Sequence, residues 1–398
     1  MDTVAAQSAS ITPPLSGRTK WVACCFLLQL PWTAAVVAST LLWDLLLKPF
    51  GNNRLTKGAR ATIDRAARWA APKMLRDERN ADWLWVIFST GIVAPGAFVW
   101  MAWRQHNLDH FDVLALFAYH VFIMGPYFRF FAYFATLAHQ HGHQKSGFFK
   151  GRWHVLDPYV TYVMGFVYGH VPAQYPMGHV RIHHKYDNSL DDVTTTRHMN
   201  RAAPKALLDQ LVRQLFSQMG VTVFLHHWRR GRTRDAWRMA RGMAFFYGLM
   251  LSLTVWDWRV GLGYVQVPHL SIMLLIGAVN HVQHAFVDPT QPDNVYRNSV
   301  TLLEGHYNVF NEDFHAAHHL KPQANWQDLR THYESNLDAY RDNGAIIFRD
   351  TQVYELLFWI LLDRRDLMVT HLVDLTGEMT PADRLRLIEE RLAYSPAA

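Results

Sequence analysis

The residues of this chain best suited to chemistry are histidines that fall into three short boxes. The boxes contain His139, His141 and His143 in LAHQHGHQK, His179, His183 and His184 in GHVRIHHKY, and His315, His318 and His319 in FHAAHHLKP. A fourth element, NHVQHAF, places Asn280 four positions before His284. Side chains three or four residues apart share one face of an α-helix. The pairs 139/143, 179/183 and 280/284 and the triplet 315/318/319 are therefore each predicted to aim at a single point.

The chemistry that this pattern predicts is metal binding. Neutral imidazole is a good ligand for iron, copper, zinc and nickel. A tetrahedral zinc ion needs only four ligands, so nine convergent imidazoles suit two metal ions better than one. The sequence therefore predicts a metal site with two ions.

Other histidines need no metal to explain them. His141 lies two positions from both of its neighbours in the first box, so on a helix it points elsewhere, and His281 fits either interpretation. A single histidine in an apolar chain is usually a core or surface residue. That interpretation suits six further positions, His106, His110, His198, His226, His227 and His371. A chelating tract is excluded, because the boxes lie far apart and each has helical spacing.

The rest of the composition indicates a membrane protein. Half of the residues are hydrophobic, and they are concentrated in runs with few charges. The runs are Ala23 to Leu47, Trp83 to Trp103, Phe111 to Phe134, Met239 to Val255 and Leu270 to Phe286. A membrane span needs about 20 apolar residues. The predicted fold class is all-α integral membrane, with about four to five transmembrane helices; the first run either spans or folds back as a hairpin around Pro31.

Charge predicts how these helices are oriented. Nine basic residues follow the first run, at Lys48, Arg54, Lys57, Arg60, Arg65, Arg68, Lys73, Arg76 and Arg79. Positive charge beside a membrane run favours the cytoplasm and anionic lipid headgroups. The alternating runs then bring all three boxes and the Asn280 element to one cytoplasmic face. The predicted location is the inner (cytoplasmic) membrane, with the site facing the cytoplasm.

Several classes of protein and site are excluded by composition. Cys24 and Cys25 are adjacent within the first apolar run, so they cannot build a disulfide framework, an iron–sulfur cluster or a zinc knuckle. That run is also too long for the apolar part of a cleavable signal peptide. The net charge of +6 is concentrated beside a membrane run and not on a recognition module, so no nucleic-acid partner is expected.

Three segments are predicted along the chain. An N-terminal tail covers 1–22, a membrane domain with the first two boxes and the Asn280 element covers 23–298, and a cytoplasmic helical cap with the third box covers 299–398. The end of the cap shows a helix start at Thr380, which is followed by a proline and, at Asp383, an acid in the first turn. Its apolar face continues at Leu385, Ile388 and Leu392.

The boxes, in this order, resemble those of the membrane fatty acid desaturase/hydroxylase superfamily over roughly residues 139–326. The resemblance implies a helical membrane bundle that binds two irons at its cytosolic face, with His284 as a ligand and Asn280 near a metal. Carried over position by position, the implied metal-binding residues are His139, His143, His179, His183, His184, Asn280, His284, His315, His318 and His319. The nine histidines among them are also the implied catalytic residues.

The boxes do not agree on one branch of this superfamily. Three residues separate His179 from His183 and His184, a spacing that resembles alkane and xylene monooxygenases, whereas many acyl desaturases have two. Gln140 and Gln283 stand where those hydroxylases carry acids. The flanking segments resemble acyl desaturases more closely.

The resemblance implies O2-dependent oxidation of an acyl chain. Iron with histidine ligands and open positions can bind O2 and attack an unactivated C–H bond. Loss of two vicinal hydrogens gives an alkene and oxygen rebound gives an alcohol, so substrate placement decides the product. The predicted function is a di-iron desaturase that introduces a double bond into a fatty acyl chain. Four acids are candidates to orient the imidazoles, Asp191, Asp192, Glu312 and Asp313.

Electrons for this reaction must come from another protein. The chain has no cysteine cluster, no Gly-rich dinucleotide fingerprint after a strand and no fused cytochrome domain. The predicted partners are the lipid bilayer, a fatty acyl substrate and an external donor of ferredoxin, rubredoxin or cytochrome type. The basic cytoplasmic surface can dock an acidic donor.

Other functions remain as alternatives. An alkane-monooxygenase-like hydroxylase, or a decarboxylase that converts a free fatty acid to a terminal alkene, would use the same residues. A membrane metal transporter would place ionisable ligands within its spans, whereas these lie at inner ends and in cytoplasmic segments. A lipid-binding scaffold without catalysis has no need of nine ligands.

Overall fold

The protein is built almost entirely from helices. The computed structural model describes residues 17–48, 54–288, 290–291 and 293–393. The α-helices are α1 (Gly17–Leu47), α2 (Arg54–Met74), α3 (Ala81–Phe88), α4 (Thr90–His106), α5 (Val113–Met124), α6 (Arg129–His143), α7 (Leu156–Pro158), α8 (Gly165–Val167), α9 (His184–Tyr186), α10 (Pro204–Gln218), α11 (Val221–Arg229), α12 (Thr233–Trp256), α13 (Val267–Gln283), α14 (Val295–Asn298), α15 (His315–Leu320), α16 (Asp328–Glu334), α17 (Leu337–Asp342), α18 (Val353–Leu361), α19 (Arg365–His371) and α20 (Pro381–Ala393).

Helical stretches of other pitch extend several of these helices. Three are short 3₁₀ turns, Glu78–Asn80, Pro126–Phe128 and Gly151–Val155. Three are π-helical, with wider turns, and they are Tyr159–Met164, Tyr175–His183 and Val260–Gln266. π turns are rare in proteins as a whole, and those that occur are often found at functional sites. The second of them contains most of the second histidine box.

Two helical stretches are long and apolar enough to cross a membrane, Glu78–His106 and Val260–Gln283. A third, Val113–Met124 with Pro126–His143, meets that test only as a pair bent by 48°. The bend follows from local chemistry, because Gly125 adopts a φ of +72° that favours glycine and Pro126 has no N–H to continue the helix. This bend sets the direction of α6, which carries the first histidine box at its end.

The predicted four to five spans therefore correspond, in the described part of the chain, to two, or to three with the bent pair. The Met239 to Val255 run lies in α12, which opens with charged residues and is not among the candidate spans. The first run forms one helix, α1, with Ala34–Leu46 as a shorter apolar stretch. The predicted hairpin around Pro31 is therefore wrong, because the helix continues through that residue. Residues 1–16 of the predicted tail lie outside the described residues.

The all-α prediction misses one small sheet, which lies after residue 299. Strand β1 (Thr301–Leu303) pairs in parallel with strand β2 (Ile347–Arg349), with Thr301 opposite Ile347. All three residues of β1 are buried. Because parallel strands need a crossover between them, the chain passes through α15, α16 and α17 on the way. The third histidine box lies at the start of that crossover.

Residues 299–393 share a hydrophobic core with the helices before them. Leu207 and Leu211 of α10 and Val282 of α13 pack in one cluster with Leu356 of α18 and Leu392 of α20. Burial of such side chains stabilises the contact by roughly 1.5–3 kcal/mol each. α18 and α20 are therefore held against α10 and α13, and α13 leads into His284.

The predicted start of the last helix is confirmed. The hydroxyl of Thr380 accepts a hydrogen bond from the N–H of Asp383, whose carboxylate accepts one from the N–H of Thr380. Ile388 and Leu392 are fully buried, as their predicted face requires.

Candidate metal centre

The nine histidines predicted as ligands meet in two groups. One, the five-histidine group, consists of His139, His143, His179, His184 and His318. The other, the four-histidine group, consists of His183, His284, His315 and His319. Within each group, one ring nitrogen from every member lies within 4.8 Å of all the others. Each group could hold a metal ion.

The prediction that the second box aims at one point is wrong. His179 shares its group with His184, while His183 belongs to the other group. The reason is helix pitch, because Tyr175–His183 is π-helical and the N–H of His184 donates to the carbonyl of His179. A π turn closes five residues apart, so His179 and His184 lie on one face. His183 then points into the neighbouring group.

The third box is also divided between the two groups. His315 and His319, which are four residues apart on α15, lie in the four-histidine group, whereas His318 lies in the five-histidine group. Successive residues of an α-helix point about 100° apart, so one helical turn can supply both groups. The first box alone keeps the predicted arrangement. The second and third boxes thus tie the two groups together.

The ring nitrogens approach one another closely. In the five-histidine group, Nε2 of His179 lies 2.7 Å from Nε2 of His139 and 2.9 Å from Nε2 of His184. In the four-histidine group, Nε2 of His284 lies 3.2 Å from Nε2 of His183. The arrangement brings the edges of several imidazoles to one point in each group.

The contact between His183 and His284 shows why a cation fits between these rings. Nδ1 of His284 lies 2.7 Å from the carbonyl oxygen of Asn298, and Nδ1 of His183 lies 2.7 Å from the carboxylate of Asp192. Both partners are acceptors, so each Nδ1 carries its hydrogen. When both rings are neutral, as metal binding requires, the facing Nε2 atoms then present lone pairs to each other. A metal ion between them would use both lone pairs and remove their repulsion.

Carboxylates anchor two further rings. Nδ1 of His139 lies 3.0 Å from Glu312, and Nδ1 of His319 lies 2.8 Å from Asp187. Such a partner fixes the tautomer and orientation of an imidazole and makes it a better ligand. Gln140, which stands where related hydroxylases have an acid, also donates to Glu312 at 3.4 Å. The carboxylate for the first box therefore comes from the segment before the third box.

Of the four acids predicted to orient histidines, two contact imidazoles and two do not. Asp192 and Glu312 contact imidazoles, as described. Asp191 instead accepts from Arg230 at 2.5 Å on the surface. Asp313 is half-buried, and desolvation of its carboxyl together with the neighbouring Glu312 raises the pKa of that group to about 7.

Two anchors, Asp187 and Asn298, were missed. Asp187 follows the second box and adopts a left-handed φ of +42°, a turn that lets it reach back toward His319. Its position three residues after the last histidine of the box was a usable signal. Asn298 acts through its backbone carbonyl, for which the side-chain sequence holds no signal.

Burial keeps most of the rings neutral. It lowers the pKa of His179, His184, His315 and His318 well below the usual value, and the neighbouring imidazoles lower it further. Neutral imidazole is the form that binds metal. For His183, burial also opposes the charged form, but Asp192 outweighs it and raises the pKa above its usual value.

Asn280 lies one turn before His284 on α13, and its amide is oriented by Gln210. Nε2 of Gln210 donates to the backbone carbonyl of Thr194 at 2.9 Å and to Oδ1 of Asn280 at 2.5 Å. A backbone carbonyl only accepts, so Gln210 must present its amino group there. Asn280 must therefore turn its oxygen toward Gln210. Its role as a ligand stays a prediction, and Gln210 is a neighbour that the sequence did not reveal.

The remaining histidines lie outside both groups. Nε2 of His141 lies 2.9 Å from Asp157, whose carboxylate also accepts from the N–H of Phe148. His281 is buried in α13. The six positions that the sequence assigned to core or surface roles also lie outside both groups, and they are His106, His110, His198, His226, His227 and His371. The interpretation of these as structural or surface residues agrees with where they lie.

Comparison with known proteins places this arrangement in a family. Residues 113–351 match the family model described as fatty acid desaturase. No curated protein and no solved structure matches the chain. The matched residues span more than half of the chain and include all three boxes and the Asn280 element. The chain therefore belongs to the fatty acid desaturase family.

Proposed function

We propose that the protein is an O2-dependent di-iron desaturase that introduces a double bond into a fatty acyl chain. The observation that carries the proposal is the pair of histidine groups, in each of which the ring nitrogens converge on one point, linked through adjacent residues of the second and third boxes. Two ions held by shared helices would lie close enough to act on one substrate. Membership of the fatty acid desaturase family supports the acyl substrate.

The proposed ligands are the nine histidines of the two groups, with Asn280 beside the four-histidine group. Histidine ligation suits iron with positions left open for O2. Bound iron would supply the binding and reduction of O2 and the oxidising power for an unactivated C–H bond. Asp192, Asp187 and Glu312 would hold the imidazoles at a fixed orientation.

The overall reaction needs reductant from outside the chain. A saturated segment –CH2–CH2– loses two hydrogens and becomes –CH=CH–. O2 takes up those two hydrogens, two electrons and two protons, and leaves as two water molecules. The role of the protein is to place two neighbouring carbons beside the site and to exclude the water that would compete. An electron-transfer protein of ferredoxin, rubredoxin or cytochrome type would supply the electrons.

We place the site at the cytoplasmic face of the inner membrane. The candidate span Val260–Gln283 ends one residue before His284, and the bent pair ends at His143. Both thus deliver their histidines at a helix end. An acyl chain could enter from the bilayer while its polar head stays at the surface.

Product analysis tests the proposal. Lipids and free acids of a host that expresses the protein should gain species 2 mass units lighter than the parent chain. With chains deuterated at successive carbons, the alkene should lose deuterium from two adjacent carbons. A product 16 units heavier, with oxygen from labelled O2 and deuterium loss at one carbon, would replace desaturation by hydroxylation. A terminal alkene one carbon shorter would indicate oxidative decarboxylation.

The second box favours the hydroxylase as the second candidate. The three residues between His179 and His183 resemble the spacing of alkane monooxygenases. A metal transporter differs from both enzymes in how it holds metal. Tightly bound iron at about two per chain supports the enzymes, whereas gradient-driven metal flux would support a transporter.

A further inference from the structure

The turn between α11 and α12 carries a concentration of positive charge that the histidine site does not explain. Six of the thirteen residues 229–241 are arginine, and one is an acid. Five of the six arginines are exposed, and Arg232 is half-buried. Exposed Arg181 and Lys185 of the second-box segment extend the patch. We define the arginine surface as Arg181, Lys185, Arg229, Arg230, Arg232, Arg234, Arg238 and Arg241.

The positive charge of this surface is largely uncompensated. Its acidic neighbours are Asp235, which pairs with Arg181, and Asp191, which pairs with Arg230. Within the described part of the chain, the other exposed arginines of 229–241 have no carboxylate at ion-pair distance. Eight cations and two acids leave an excess of six positive charges, as large as the formal net charge of the entire chain. Such a field attracts a negatively charged partner.

The arginine surface is joined to the five-histidine group through Tyr186. Arg230 donates to the Tyr186 hydroxyl at 2.7 Å, and Arg232 does so at 3.4 Å. Tyr186 follows His184 by two residues on the same short helix, α9. Arg181 lies within the second box itself, between His179 and His183. A partner on this surface would therefore stand directly beside the histidines of the five-histidine group.

We propose that the arginine surface docks an acidic, soluble one-electron carrier that delivers electrons to the metal centre. The proposal rests on the proposed function, which takes two electrons per turnover from outside the chain. Each visit of the reduced carrier would pass one electron to the site and leave the carrier oxidised, so two visits complete a turnover. Charge complementarity favours fast association with such a partner.

Anionic lipid is the competing occupant. Exposed Trp228 and Trp237 pack edge to face on the same segment, with ring centroids 6.4 Å apart, and tryptophan with arginine is common at membrane interfaces. A headgroup, however, requires only charge. The contacts of Arg230 and Arg232 with Tyr186 place this surface against the second box, which favours a redox partner.

The test measures docking and turnover separately. Full-length, iron-loaded protein in nanodiscs of zwitterionic phosphatidylcholine is titrated with an oxidised, acidic plant-type [2Fe–2S] ferredoxin, which requires no turnover. The variant Arg229→Gln/Arg234→Gln/Arg238→Gln should weaken binding at least about tenfold at low salt. The KM for reduced ferredoxin should rise similarly, while kcat with dithionite as a chemical reductant stays unchanged. Wild-type binding should weaken as salt is added.

A matched control removes the same charge elsewhere. Lys57→Gln/Arg60→Gln/Arg65→Gln changes three exposed cations of α2, and we expect it to leave ferredoxin binding unchanged. Equal loss of binding in both variants would reduce the effect to general attraction and overturn the proposal. Unaltered binding in the arginine variant would also overturn it. So would a variant that binds ferredoxin normally but loses affinity for vesicles containing phosphatidylglycerol.

The two proposals fail in different ways. A protein that gives no oxidised product with any donor contradicts the proposed function, even if ferredoxin binds. A protein that turns over with dithionite, but whose ferredoxin binding ignores the arginine variant, contradicts only the docking surface. Iron content equal to wild type confirms that the variant retains the metal centre.

Discussion

The two histidine groups differ in how firmly their rings are held. All members of the four-histidine group are buried, and His183, His284 and His319 each have an acceptor within 2.8 Å of Nδ1. In the five-histidine group, His179 and His184 are half-buried. Among the described residues, Nδ1 has no hydrogen-bond partner in His143 and His184 and, in the other group, in His315 and His319, although His319 keeps its close contact with Asp187. In the five-histidine group, His139 has a close acceptor in Glu312. The group with more ligands is thus the less anchored one.

The number of histidines in a group and the rigidity of their rings are therefore separate properties. Anchored imidazoles keep one orientation and hold a metal strongly, because little must be ordered when the ion binds. Rings without an anchor can move as ligands and substrate exchange. The less anchored group also lies beside the arginine surface. We therefore expect the four-histidine group to be the stable metal site and the five-histidine group to be the adaptable one.

The largest effect is expected from removing a ligand in either group. His184→Ala, His143→Ala and His318→Ala in one group and His284→Ala in the other should each abolish turnover, because the proposed reaction needs an ion in each group. Iron should fall from about two to about one per chain while the protein still inserts in the membrane. Metal analysis with product assays checks this. His371→Ala and His226→Ala, outside both groups, should keep activity. Wild-type turnover in any of the four ligand variants would remove that residue from the ligand set.

Removing a single anchor should have a smaller effect that differs between the groups. Asp192 is inaccessible to solvent, whereas the Glu312 side chain is 22% exposed. Loss of such an anchor lowers metal affinity or activity by roughly 10–100-fold. We expect Asp192→Asn near the upper end of that range and Glu312→Gln near the lower end. The measurement is the iron affinity of each variant. A larger loss of affinity in Glu312→Gln than in Asp192→Asn would refute the difference in rigidity between the groups.

Crowding the contact between the first two boxes should disturb the five-histidine group selectively. A Cβ added at Gly142 would lie 2.5 Å from Cβ of Tyr175, so Gly142→Ala must push α6 away from the second box. Such overpacking costs about 1–3 kcal/mol. We expect partial loss of one iron and a several-fold loss of activity. Gly96→Ala, with no atom within 4 Å of its added Cβ, is the matched helical control and should behave as wild type.

The smallest effect concerns only the rate at which metal leaves. A chelator added to the iron-loaded protein should remove iron in two phases of equal amplitude, with the half-buried five-histidine group losing its ion first. Stopped samples analysed for iron report the phases. Asp192→Asn should accelerate the slow phase and leave the fast one unchanged. A single phase for both ions would show that the groups are equally held.

The sequence predicted which residues would gather but not how they would divide. Histidines at positions such as 139 and 143 carry a recognisable ligand pattern, and apolar runs indicate the helices that bring them together. The division of His183 and His184 between groups depends on helix pitch, which assumed α-helical spacing cannot supply. The anchor from Asn298 is a backbone carbonyl, and contacts of that kind leave no mark on residue identity. Gln210 was not found because its side chain meets that of Asn280 across 70 residues of sequence.

Prediction of the membrane part depended on charge within the runs. The Trp83 and Leu270 runs lie in helices that meet the requirement for a span. The first turns of α12 contain Arg234, Asp235 and Arg238. The predicted span began at residue 239 and therefore left these charges out. The small sheet was missed because strands of three residues are too short for alternation to be visible.

The π-helical turn at Tyr175–His183 changes what an insertion in the second box means. A π turn holds one residue more than an α turn. A box with two intervening residues on an α-helix keeps its first and last histidines on one face, four positions apart. The box of this chain, with three, keeps them on one face five positions apart. An extra residue can therefore enter such a box without displacing a ligand, and in this chain the longer gap is matched by the wider pitch of the helix.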